Sequence, residues 1–173
     1  MLALARRAIA AALVGDPAPD VPEVPGARLR RGAFVTLEEQ ADGALRGCIG
    51  RIAGDRPLGE VVRAVGVSAA VEDPRFPAVA PEELPELRIE ISVLGEPSPL
   101  EPRDPEKLVI GRDGLLVRRG SVVGVLLPQV ATEHGLSAEA FLAAACRKAG
   151  LGAHAWREPG THVFTFEADV FGE

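Results

Sequence analysis

Leu87-Arg88-Ile89-Glu90-Ile91-Ser92-Val93 alternates apolar and polar residues without a break, and that alternation decides the class of fold. Successive side chains of a strand point to opposite faces, so Leu87, Ile89, Ile91 and Val93 line one face and Arg88, Glu90 and Ser92 the other. A strand with one apolar and one polar face belongs to an antiparallel sheet packed on one side. Upstream, residues 33–37 and 45–52 read as two further strands. Asp42-Gly43 between them marks a hairpin, because a tight turn needs the positive φ that these residues tolerate. Downstream, residues 109–127 read as a meander that turns at Asp113-Gly114 and again at Gly120. The last strand spans residues 163–171.

Helices separate these strand groups. Leu2, Ala5, Ile9, Ala12 and Leu13 fall at helical spacing, with Arg6 and Arg7 on another face. Residues 57–71 predict a second helix, opened by Pro57 and striped by Leu58, Val61, Val62, Val65 and Ala69. Asp73-Pro74 stops it, since the residue before a proline avoids the α region. Residues 128–134 predict a short helix closed by Gly135. Ser137 is a natural N-cap for a helix over residues 138–149. Proline-rich connectors cover residues 16–26 and 97–105. Strands in hairpins between separate helices predict an α+β fold, with an antiparallel sheet flanked by helices. Val61, Val65, Phe141 and Leu142 are expected to pack both longer helices on one face of that sheet.

The length of 173 residues suits one domain over residues 1–173, which can bury a sufficient core without disulfide or metal. Asp and Glu number 25 against 19 Lys and Arg, for a net charge of −6. A duplex-binding protein needs a basic face, and base stacking needs aromatics, here only 4% of residues. Nucleic acid is therefore not an expected partner, nor is a membrane. The Ala-rich start is too short to span one and has no convincing cleavage site. Cys48 and Cys146 lack zinc spacing, so no metal is expected, and the cytoplasm is the expected compartment, with both thiols reduced.

Leu45-Arg46-Gly47-Cys48-Ile49-Gly50 is the stretch richest in chemistry. Strand alternation predicts Arg46 and Cys48 on one face, where a guanidinium favours the thiolate that attacks. Gly47 and Gly50 weaken a strand, so their use beside a thiol points to close approach by a ligand or another backbone. The plainer alternatives are a Cys48 that packs as a small apolar residue, glycines that only permit a bulge or tight packing, and an Arg46 that pairs with Glu90. Asp73-Pro74-Arg75-Phe76 is a rigid turn that presents a charge. Glu90 and Ser92 lie on the polar sheet face. Gln129 and Glu133 share a helix face. His134, on an irregular segment, is the preferred histidine for a base or ligand role. Cys146 reads as packing.

These residues resemble the AMMECR domain family, in its bacterial branch known as AmmeMemoRadiSam system protein A. The hexapeptide at 45–50, Asp73-Pro74-Arg75-Phe76, Glu90-Ile91-Ser92-Val93-Leu94, Leu126-Leu127-Pro128-Gln129-Val130-Ala131, and the segments 146–151 and 164–173 carry the likeness across nearly the whole chain. The resemblance implies an α+β fold with a larger and a smaller lobe. It also implies two partners, a Memo-like protein and a radical SAM protein. No cofactor is expected on this chain, because two cysteines cannot ligate a cluster in the usual way. Function is then expected in one of two forms. In the first, Cys48 and Arg46 serve a thiol-dependent enzyme or substrate-handling subunit, with Gly47, Gly50, Asp73, Arg75, Glu90, Ser92, Gln129 and His134 around the substrate. In the second, the same strand face is a non-catalytic docking surface for a partner protein.

Overall fold

The computed structural model describes residues 1–101 and 104–173. The chain forms two compact units, the first from residues 1–94 and 169–173, the second from residues 95–168.

In the first unit, helix α1 (Leu2–Val14) is closed by Gly15 in the left-handed conformation. A short helix α2 (Pro25–Arg28) follows the proline-rich connector. Strands β1 (Ala33–Glu39) and β2 (Leu45–Arg51) form the hairpin expected around Asp42-Gly43, with Gly43 at φ 74°. Helix α3 (Leu58–Val71) comes next, then β3 (Leu87–Leu94). The first sheet is ordered β2-β1-β3-β8, where β8 spans Ala168–Gly172. Val35, Leu37, Ile89 and Ile91 face inward and meet Ala5 and Ile9 of α1 and Val61, Val62 and Val65 of α3. Leu4 and Ala8 complete the buried side of α1, whereas Ala12 is exposed.

In the second unit, β4 (Ser98–Pro99), β5 (Gly114–Arg119), β6 (Val122–Leu126) and β7 (His162–Phe166) form a sheet ordered β4-β7-β5-β6. Helix α4 (Pro128–Glu133) ends at His134, and α5 (Ala138–Lys148) starts at Ser137, whose hydroxyl accepts from the Ala140 N–H at 3.3 Å. Leu115, Val117, Phe141, Leu142, Cys146 and Trp156 share a second core.

The α+β class holds, with four corrections. There are two antiparallel sheets, so α3 and α5 belong to different cores and do not share one sheet face. The final strand divides after Phe166: β7 joins the second sheet and β8 returns to the first. The turn before β5 lies at Gly111, φ 87°, and Gly114 is already in the strand. Ser98-Pro99, within the expected connector, adds a two-residue strand, and positions 102 and 103 of that connector lie outside the described residues.

Candidate functional site

The site is built on β2, an outer strand of the first sheet. Near the hairpin, Glu38 of β1 faces Leu45, but Leu37 faces Gly47, so Arg46 is an extra residue in β2. This bulge resets the alternation. Uninterrupted counting from the Glu38–Leu45 pair would set Cys48 opposite Val35, a core residue. The inserted residue sets it opposite Thr36 instead, on the face turned away from α1 and α3.

Arg46 is corrected by the same feature. It does not share a face with Cys48, because a bulge puts its two residues on the side of the single residue opposite them, here Leu37. The residue is 8% exposed, and its guanidinium donates to the Glu83 carboxylate at 3.1 Å and to the Pro77 carbonyl at 2.9 Å. Its ion-pair partner is thus Glu83 rather than Glu90. Arg46 is a tether between the bulge and the segment after α3.

Arg75 places a cation beside Cys48. The Cys48 N–H points away from β1 and donates to Asp73 Oδ2 at 2.9 Å. The Cys48 carbonyl accepts from Arg75 Nη2 at 3.3 Å. Asp73 and Arg75 are themselves a two-point pair, Nε to Oδ1 at 2.9 Å and Nη2 to Oδ2 at 2.6 Å. The turn at 73–76 therefore grips both backbone polar groups of one residue on an open sheet edge. Arg75's side chain is half-exposed while Asp73's is buried. The guanidinium also lies 5.4 Å from the centre of the Phe76 ring. Hydrogen bonds from Arg75, together with the Cys48 N–H, hold the Asp73 carboxyl far below the usual carboxylate range against the opposing effect of burial. Arg75 is pushed up chiefly by Asp73, with charge on Cys48 acting in the same direction.

The sulfur has a polar neighbour as well. Thr36 Oγ1 donates to Cys48 Sγ at 3.4 Å. Cys48 is half-buried. Register carries the row onward: Thr36 faces Glu90 of β3, and Phe34 lies between Gly50 and Ser92. Glu90 is two strands from Cys48, about 10 Å across the sheet at the usual spacing. Glu90 and Ser92 therefore share the Cys48 face. Ser92 is fully buried, in contrast to the solvated position common on an outer face.

The two glycines do different work. A Cβ on Gly47 would stand 2.2 Å from the Ala69 carbonyl oxygen, so Gly47 lets α3 approach the strand. A Cβ on Gly50 would stand 2.2 Å from the Phe34 ring, so Gly50 seats that ring. Both belong to backbone and ring packing rather than to open space beside the thiol.

Gln129 and His134 belong to the second unit. Gln129 is partly buried in α4, whereas Glu133 and His134 are exposed. His154 and His162 are also exposed in that unit, so the first unit has no histidine to act as a base for Cys48. Cys146 is fully buried on α5, and desolvation pushes its thiol up. Among the described residues, no group of three or more His, Cys, Asp or Glu side chains is arranged to hold a metal ion. No helix among them is long and apolar enough to cross a membrane.

Thr36 and Glu83 are the participants that sequence reading missed. Thr36 was detectable from the hairpin register only if the bulge was known. Glu83 lies in a loop with no periodicity to read.

The hexapeptide and the 90–94 strand, scattered in sequence, lie in the first sheet, and the 73–76 turn binds its edge at Cys48. The match to AMMECR1 runs over residues 2–171. The chain belongs to the AMMECR1 family. A protein of Methanothermobacter thermautotrophicus is 49% identical over 158 residues, covering 89% of this chain and 80% of the relative. One from Thermofilum pendens is 43% identical over 189 residues, covering all of this chain and 88% of its own. Among solved structures, the uncharacterised protein PH0010 from Pyrococcus horikoshii superposes with a TM-score of 0.93 at 41% identity. That match covers 99% of this AMMECR1 chain and 89% of the other.

Proposed function

We propose that this protein is the thiol-bearing component of a radical SAM-associated system, handling a small anionic substrate at Cys48 alongside a Memo-like protein and a radical SAM protein. The observation that carries the reading is the setting of Cys48. It is a half-buried thiol whose backbone is gripped by Asp73 and Arg75 and whose sulfur accepts from Thr36. A rigid backbone, a hydroxyl donor and a neighbouring cation are the conditions under which a cysteine reacts as thiolate. In this reading the Sγ–H proton leaves to solvent, sulfur adds to a carbonyl carbon of the substrate, and the C=O π pair moves onto the carbonyl oxygen, which takes up a proton from solvent. Arg75 Nη1, which makes no hydrogen bond among the described residues, receives the anionic group. The role first expected of Arg46 passes to Arg75.

Iodoacetamide kinetics test it. Cys48 should alkylate much faster than Cys146 at pH 7, and Arg75→Ala should slow Cys48 severalfold with the far-ultraviolet dichroism unchanged. A Cys48 rate that rises through about pH 8.5 like an ordinary thiol, and is indifferent to Arg75→Ala, would overturn the thiol mechanism. The docking reading would then lead.

A further inference from the structure

A groove of 430 Å³ opens on the α3 side of β2, the side opposite the Cys48 side chain. We propose that it binds a small carboxylate with an apolar body, independently of the chemistry assigned to Cys48. Its volume is within the usual range for small-ligand sites, roughly 300–1,000 Å³. Ile52, Val61, Ala64 and Val65 supply an apolar wall large enough for a short alkyl chain or one aromatic ring.

The polar lining is mostly made of donors. Arg51 and Arg56 both border the groove. Arg51 is held by Asp55 through Nε and Nη2, which leaves its Nη1 for a ligand. Asp55 is thereby occupied, and Arg56 makes no hydrogen bond or ion pair among the described residues. Ser68 adds a hydroxyl from α3. Gly50 turns its N–H away from β1, as Cys48 does two residues earlier, and so presents it at the groove. Glu60 is the one carboxylate on the rim, and it disfavours an anion nearby. Asp55 neutralises Arg51 and Glu60 offsets Arg56, so the preference for a carboxylate rests on the unused donors of Arg51, Arg56, Ser68 and Gly50 rather than on net charge. A ligand carboxylate would provide the acceptor these donors lack, and its chain would cover the wall formed by α3.

Hexanoate is a suitable probe, with hexylamine and hexan-1-ol as controls of equal length. Hexanoate should shift the methyl resonances of Val61 and Val65 saturably in the full-length protein, and hexylamine should not. Arg56→Ala should weaken hexanoate about tenfold, the usual loss for one charge-assisted hydrogen bond. Ala64 is exposed, so Ala64→Phe fills the groove without disturbing the core and should abolish binding. Cys48→Ser should leave binding unchanged, which separates this site from the thiol reading. No saturable shift with hexanoate, equal binding of hexan-1-ol, or indifference to both Arg56→Ala and Ala64→Phe would each overturn the proposal.

Discussion

Asp73 does more for the site than its place after a helix suggests. It is buried, accepts from the Cys48 N–H, and binds both Nε and Nη2 of Arg75. Its folded-state affinity for protons is lowered, so ionised Asp73 stabilises the fold. That stabilisation is complete above the unfolded value of about 3.9 and is lost as pH falls toward the lower folded value. Asp73→Asn should therefore cost about 1.5–3 kcal/mol in urea unfolding at pH 7, as loss of a hydrogen bond to a charged group does. The gap to wild type should stay constant from about pH 5 to 8 and narrow below about pH 4. A gap that persists unchanged to pH 3 would mean that the carboxylate charge contributes nothing. At this scale the sequence singled out Cys48, Asp73 and Arg75 by type and position. It could not reveal that Arg75, not Arg46, accompanies the thiol. A one-residue bulge reverses which face a strand residue takes, and although Gly47 permits a bulge there, residue types alone do not fix its place or the register it sets.

Among the elements, the β1–β2 hairpin is the most informative. Gly50 seats the Phe34 ring, and Gly47 meets the α3 backbone at Ala69. Gly50→Ala should cost about 1–3 kcal/mol by overpacking. In a Phe34→Ala background that cost should largely vanish, a coupling that a double-mutant cycle measures directly. Gly47→Ala should cost at least as much and be indifferent to Phe34→Ala, because a carbonyl fixed in a helix cannot swing aside. Equal coupling of both glycines to Phe34 would contradict these packing roles. In the second unit, Leu142 is fully buried on α5. Leu142→Ala should cost about 2–5 kcal/mol in the same unfolding assay, and a loss below half a kcal/mol would place it outside the core.

At the scale of the whole molecule, the chain leaves its first unit at Leu94 and re-enters it at Asp169. β8 covers the outer edge of β3, and Glu173 adds polar ties. Its carboxylate accepts from Arg6 and from the Ile89 N–H at 3.2 Å, while its own N–H donates to the Ile89 carbonyl at 3.2 Å. Arg6 reaches the same place from α1, donating to the Leu84 carbonyl at 2.9 Å and the Leu87 carbonyl at 2.7 Å. Deleting residues 169–173 should cost on the order of 2–4 kcal/mol, at about 1 kcal/mol per backbone hydrogen bond lost. Glu173→Gln alone should cost less than about 1 kcal/mol, since the pair with Arg6 is partly exposed. Hydrogen exchange should show the deletion exposing β3 amides. Unchanged protection at Ile89 would show that β8 is dispensable.

The sequence by itself determined the element types. Period-2 alternation at 87–93 marked β3, helical spacing at 58–69 marked α3, Ser137 capped α5, and Asp42-Gly43 turned the hairpin. These are local properties, set by backbone geometry and the need to bury one face. It also marked the segment that carries Cys48. Tertiary structure alone decided the rest. The split of the last strand between two sheets depends on pairing with β3 and β5, which lie far away in the chain. The grip of Asp73 and Arg75 on Cys48 depends on a loop after α3 meeting the edge of β2. Such choices rest on contacts between distant residues, and no short-range periodicity encodes them.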